Sequence, residues 1–420
     1  GRWIDNTREA SAERHIETHY QVDAVLNYIK TFKEDHNLNV MLGLNYTQRD
    51  YDDVWAAGKG GSTNNITTVN GVAEKTTASS STSTHKMMGY FGRINYNYKN
   101  KYLLTLTARY DGASNLGKNN RYGFFPGASV GWRIDQEDFY PEDLKRNLQA
   151  KIRASYGVNG NINGLADWTS YGYYSGGATH FGNAAIRMGF PANDDVKWER
   201  SKTFDIGADF KIWDNRIDLT IDWFRRRTDD LITMFTMPYS TGLGSVYTNN
   251  GSLENKGLEI EVNARVLNFD KDGVWRIGFN ASKVTNKILA LPANGVENNR
   301  QGGALIYDPK KGKNVWVGGL QEGGGIGNHL ILYDFKGVYK TDEEAAKAPF
   351  HKLCLSSDPN KTQYGGDAIF NDTNGDGVLD EYDRIYAGNS LPDWTGGINT
   401  SLSWKGLELY MRADYTLGHS

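Results

Sequence analysis

Apolar and polar residues alternate with a period of two over one segment after another of this chain. In Lys101 to Asp111, Tyr102, Leu104, Leu106, Ala108 and Tyr110 share one face, while Thr105, Thr107, Arg109 and Asp111 share the other. That spacing belongs to a β-strand whose two faces meet different surroundings. The pattern returns in Val22, Ala24, Leu26 and Tyr28 against Asp23 and Asn27, and in Leu38, Val40, Leu42, Leu44 and Tyr46 against Asn39, Gly43, Asn45 and Thr47. It returns again in Ile152, Ala154, Tyr156 and Val158 against Lys151, Arg153, Ser155 and Asn159. Similar segments begin near Phe204, Ile217, Leu258 and Leu407. In all, the pattern predicts about twelve strands, each near the roughly 9–11 residues a tilted strand needs to cross a bilayer.

The polar face separates two architectures. A soluble β-sandwich also alternates, but over strands of about 5–6 residues. Strands of about ten residues, apolar on one side and charged in mid-strand on the other, describe a water-filled barrel in lipid. Connection lengths agree. Lys99-Asn100, Trp213 to Asn215, Asn268 to Gly273 and Lys405-Gly406 read as short turns, and the links 49 to 86, 160 to 200, 225 to 256 and 285 to 393 as long external loops. Short and long alternate, as the topology of an outer-membrane barrel requires. The link from 135 to 147 is the exception, medium in length on the short-turn side. The run T-T-A-S-S-S-T-S-T at 76 to 84 reads as a mobile low-complexity loop.

Composition narrows the class further. Gly (48) far outnumbers Pro (9), and Tyr (25) exceeds Phe (16), a mixture suited to strands, tight turns and amphipathic aromatic belts. No apolar run approaches the roughly 20 residues of a membrane helix, and the mean hydropathy of −0.60 agrees. The formal charge of −3 gives no electrostatic ground for a nucleic-acid partner. The lone Cys354 reads as a stray loop thiol. Gly1 is not an initiator Met and no signal-like segment follows it, which reads as a chain that starts after a removed leader or partway through a protein.

Most candidate motifs have plainer readings. Gly112 to Asn119, G-A-S-N-L-G-K-N, nearly spells a phosphate loop, but Asn119 replaces the magnesium hydroxyl and no helix follows, so an external turn is expected. His15, Glu17 and His19 share a strand face, where polar residues are expected anyway, rather than forming a transition-metal site. No G-x-S-x-G elbow marks a nucleophile, so no catalytic residue is assigned. Gly323 to Gly327 reads as a flexible loop, and Arg225, Arg226 and Arg227 as a solvated rim that closes a strand. Trp168, Tyr171, Tyr173 and Tyr174 cluster in one external link, where aromatics stack on sugar rings, on a protein lid or on one another.

One motif stands out. Asn371 to Asp383 reads N-D-T-N-G-D-G-V-L-D-E-Y-D, placing Asp372, Asn374, Asp376, the carbonyl of Val378, Asp380 and Asp383 in the ligand rhythm of an EF-hand calcium loop, with Gly377 at its sharp turn. Asp383 stands where an EF-hand has a bidentate Glu, and neither flank is helical. The expectation is a Ca2+ ion that pins a long external loop rather than a switch.

Four blocks now carry a resemblance: Tyr90 to Asn115 (Y-F-G-R-I-N-Y-N-Y-K-N-K-Y-L-L-T-L-T-A-R-Y-D-G-A-S-N), Gly123 to Ile134 (G-F-F-P-G-A-S-V-G-W-R-I), Leu253 to Ala264 (L-E-N-K-G-L-E-I-E-V-N-A) and Asn371 to Gly397. In these the chain resembles the SusC/RagA-type TonB-dependent outer-membrane transporters of Bacteroidetes-like bacteria. The resemblance implies a 22-stranded barrel, plugged by an N-terminal domain, energised through TonB and lidded by a SusD-like surface lipoprotein, that imports oligosaccharides or peptides. Residues 1–420 are then part of one β-barrel domain in outer-membrane lipid, with plug, TonB box and last strands outside it. A closed twelve-stranded barrel is the other arrangement that strand parity permits. Arg93, Arg109, Arg153, Glu259 and Arg412 become candidate lumen contacts, with Arg109, Arg153, Trp168, Tyr171 and Tyr173 the candidate substrate residues. The rival reading is a soluble, calcium-stabilised β protein that binds or cleaves glycans.

Overall fold

A strand is stable only where its backbone N–H and C=O groups find partners, and a computed structural model shows how these strands find them. It describes residues 8–268, 273–327, 329–352 and 363–419. Cys354 and the turn between Asn268 and Gly273 lie outside the described residues. Twelve strands form one sheet: β1 (Glu9–Phe32), β2 (His36–Gly61), β3 (Val72–Tyr98), β4 (Tyr102–Ala113), β5 (Tyr122–Arg133), β6 (Leu148–Asn161), β7 (Glu199–Ile212), β8 (Ile217–Thr236), β9 (Ser245–Asn268), β10 (Gly273–Ala290), β11 (Trp394–Trp404) and β12 (Leu407–Leu417). Their order in the sheet is their order in the chain. Among the described residues no helix is long and apolar enough to cross a membrane.

The chain divides into two compact units. The first contains β1 to β4 in antiparallel register, from Glu9↔Lys59 to Phe32↔His36 and from Tyr98↔Tyr102 to Met87↔Ala113, with one register shift between β2 and β3 at Ala57/Gly58. Lys99 and Asn100 both take positive φ (54° and 53°), the two-residue turn whose twist suits a hairpin. In the second unit, β10, β11 and β12 pair antiparallel, with Lys405 and Gly406 making the equivalent turn. These two short turns are thus as the alternation predicted. Tyr102, Leu106 and Tyr110 stay exposed on one face of β4, as do Leu407, Leu409 and Met411 on β12.

Several expectations are corrected. The first three strands run to 24, 26 and 27 residues, far past the expected ten. At about 3.3 Å per residue such strands exceed a bilayer even when tilted. The supposed mobile run at 76 to 84 lies inside β3, its backbone paired from Ala57↔Thr77 to Asp50↔Thr84. Thr and Ser carry no apolar alternation, so the sequence shows no strand, but backbone pairing to β2 makes one and the β-branched threonines suit it. Arg225 to Arg227 sit mid-strand in β8 rather than closing it. The link at 135 to 147 is closed by a short helix, α1 (Glu142–Asn147), and the hydroxyl of Tyr140 donates to the Leu148 carbonyl at 2.7 Å.

The core of the first unit lies at one end of β4, β5 and β6 and in the segments beside them. Ala113, Leu116, Phe125, Val158, Val196 and Trp198 pack together, with Phe125 and Trp198 edge-to-face at 5.3 Å. Leu116 is wholly buried, so the phosphate-loop lookalike is a turn that plugs a core rather than an open external loop. The backbone N–H of Gly117 donates to the Val196 carbonyl at 2.9 Å, and a Cβ there would collide with the Asp194 carbonyl.

Candidate functional site

The face of the sheet opposite the apolar one is built from charge. Around Arg153 on β6, Nη2 lies 2.6 Å from Asp222, while Nη1 approaches Asp205 and Nε approaches Asp209, both at 3.4 Å. Lys151 adds a second bond to Asp209 at 3.2 Å. Gly207 lies between the two β7 aspartates, and a Cβ there would strike the Asp222 carboxylate and the Arg153 guanidinium. The missing side chain is what lets the pair close. With two cations against three carboxylates, the cluster presents a polar wall that is nearly charge-balanced.

In the first unit a comparable row crosses four strands. Val25 pairs with Gly43, Gly43 with Phe91, and Phe91 with Arg109. The Phe91 ring fills the space above Gly43, and Arg109 lies over that ring at 5.2 Å while holding Asp111 at 2.9 Å. Arg109 and Arg153 are therefore both engaged by acids of their own unit. They shape a wall and hold fixed charge rather than offering free cations. Glu17 gathers His19 at 3.0 Å, His15 at 3.8 Å and Arg49 at 3.7 Å, an ion-paired strand face.

The aromatic link folds partly onto itself. Residues Tyr173–His180 and Asn183–Phe190 pair as a hairpin, and Trp168 meets Tyr173 at 4.5 Å and Phe190 at 5.3 Å. The Tyr171 hydroxyl accepts from Arg121 at 2.8 Å. Asp167 ties this link to the sheet: Ser83 donates to it at 2.8 Å and His85 lies 3.2 Å away. Trp168, Tyr171, Tyr173 and Tyr174 nevertheless keep exposed ring surface.

In the loop from 371 to 383, hydrogen bonding to its own backbone dominates. Asp372 accepts from the N–H groups of Gly375 and Gly377, both at 2.8 Å, and Asp376 accepts from Val378 at 2.8 Å. Asp383, fully buried, accepts from Thr373 and Asn374 with one oxygen and from Asp380 with the other. Asp380 caps the short 3-10 turn Glu381–Asp383 and also takes Lys352 at 3.3 Å. That bond, reinforced by the nearby Glu381, raises the Lys352 ammonium above its usual range. The donors are hard oxygens of the kind calcium takes, in the expected order, with the expected absence of flanking helices. Among the described residues, though, no group of three or more His, Cys, Asp or Glu side chains converges on a cation position.

A family model described as TonB dependent receptor-like, beta-barrel matches residues 3–417. The chain belongs to this family. Relatives of this TonB-dependent receptor chain include TonB-dependent receptor P3 of Formosa agariphila, 32% identical over 98% of the chain and 40% of the relative. TonB-dependent receptor SusC of Bacteroides thetaiotaomicron is 34% identical over 49% of the chain and 21% of its own length. Among solved structures, the RagAB peptide importer in its open-open state superposes with a TM-score of 0.74 at 19% identity, over 98% of this chain and 42% of that one, a likeness of fold. The chain spans about two fifths of the length of the first of these relatives. Family membership sets aside the soluble rival and places the receptor in the bacterial outer membrane, so the apolar face of its sheet is the lipid face.

The receptor's sequence did not reveal which acids its arginines meet. Asp205 and Asp222 lie 52 and 69 residues from Arg153. The one local sign was Gly207 between two aspartates at strand spacing, a gap on a polar face that something larger had to fill.

Proposed function

We propose that this receptor chain is barrel wall and outer loop of an active importer, driven through TonB, that takes up an oligosaccharide or peptide together with a SusD-like surface lipoprotein. The observation that carries this reading is the two-faced sheet. The same strands expose tyrosine, leucine and methionine on one side and hold ion-paired arginines and aspartates on the other. A wall of fixed, mutually neutralised charge lets a polar cargo pass without trapping it, and the reading assigns the chain no catalytic residue. Exposed rings of Trp168, Tyr171 and Tyr173 supply adaptable contact surface at the outer end. The same reading includes a calcium ion at Asp372, Asn374, Asp376, Val378, Asp380 and Asp383 that stiffens the loop, supported by donor type and order.

Uptake tests the proposal. Cells expressing the full-length protein should accumulate labelled oligosaccharide or peptide only when TonB and the neighbouring lipoprotein are both present. Uptake unaffected by loss of TonB would overturn it.

A further inference from the structure

The external segment after β10 carries a cleft of its own. A hairpin of Ala304–Asp308 and Lys313–Val317 presents Trp316 with 44% of its surface exposed. Arg300 lies flat on one side of the indole, 3.4 Å from the ring centroid, fixed there as its Nη1 donates to the Gly302 carbonyl at 2.7 Å. Beside it opens a space of about 400 Å³ lined by Arg300, Lys311, Lys313 and Trp316, with the amides of Asn298, Asn314 and Gln321. Glu297 is the acidic side chain of that lining. Lys311 reaches Asp308 only at 3.6 Å, and among the described residues no ion pair engages Arg300 or Lys313.

Three cations thus face one carboxylate around an indole. Lys311 shares Asp308, but Arg300 and Lys313, unlike Arg109 and Arg153, have no acidic ion-pair partner among the described residues, so their counter-charge is left for a ligand to supply. Guanidinium and ammonium groups lining one cleft suit a carboxylate or sulfate. The open part of the indole suits the apolar face of a sugar ring, and amides that both donate and accept suit its hydroxyls. The volume falls in the range of small-ligand sites. We propose that this cleft binds an anionic sugar residue, carboxylated or sulfated, of the imported cargo. The assignment rests on the importer reading and narrows its substrate class.

Calorimetry on the full-length protein in detergent tests it, using oligogalacturonate, a sulfated oligosaccharide, neutral maltohexaose and hexaglutamate as probes. The two acidic sugars should bind at least about tenfold more tightly than the neutral one, with affinity falling as salt rises. Lys313→Gln should weaken them by about tenfold and flatten the salt dependence, and Trp316→Ala should weaken sugar binding while leaving that dependence unchanged. Equal affinity for hexaglutamate, or unchanged binding in both variants, would overturn the site. Binding to purified protein needs no energised transport. Loss of the site with intact TonB-dependent uptake of another cargo therefore leaves the importer standing, and acidic-sugar binding without TonB-dependent uptake leaves the site standing.

Discussion

Replacing Arg153 with methionine tests the charge wall where its geometry is tightest. Methionine keeps the length and packing of the stem but removes the guanidinium, so Asp222 loses its 2.6 Å partner and Asp205 and Asp209 lose theirs at 3.4 Å. A hydrogen bond to a charged group contributes about 1.5–3 kcal/mol, and breaking a fully buried pair costs about 3–5 kcal/mol. Arg153 is 30% exposed, which screens part of this, and Lys151 remains on Asp209. The expected loss is about 2–3 kcal/mol. It is read from urea unfolding of the full-length protein in phospholipid vesicles, followed by tryptophan fluorescence. Asp222→Asn should recover about half of the loss in the Arg153→Met background, because it removes the carboxylate left without a partner. A single-variant loss below about 0.5 kcal/mol, or strict additivity in the double variant, would show that Arg153 does not hold the three aspartates together.

Four further outcomes follow from the same structure. Gly207→Ala should cost about 1–3 kcal/mol in the same assay, since its Cβ displaces the Asp222 carboxylate from Arg153. Leu116→Ala, which empties a fully buried position, should cost about 2–5 kcal/mol and appear as faster proteolysis of the 114–121 turn. Glu322 accepts from the Asn299 amide at 2.8 Å and the Leu291 N–H at 3.0 Å, and these bonds hold its carboxyl below the ordinary value of 4.5. The stabilisation is full above that value and lost as pH falls through the lower folded one, so protection of the Leu291 N–H relative to its intrinsic exchange rate should fall below about pH 4.5 in the native protein and show no such step in Glu322→Gln. If calcium occupies the 371–383 loop, chelation should speed exchange at Gly375 and Gly377, and Asp376→Asn should remove the chelator's effect; identical exchange with and without calcium would reject the ion.

What the sequence determined by itself is whatever has a short period. Alternation at two residues marked Tyr102 to Tyr110 as one face and Arg109 and Asp111 as the other, and the Lys99-Asn100 and Lys405-Gly406 turns followed from the short gaps between alternating segments. The blocks around Tyr90 to Asn115 and Asn371 to Gly397 placed the family. Tertiary structure decided everything whose partner is distant in the chain. The Ser/Thr run at 76 to 84 is a strand because β2 lies beside it, and backbone hydrogen bonding carries no side-chain signature. Arg153 is neutralised while Arg300 and Lys313 are not, although all three look alike as letters. Charge balance depends on which acids arrive within about 4 Å, and that is set by strand register and by a glycine gap rather than by local sequence.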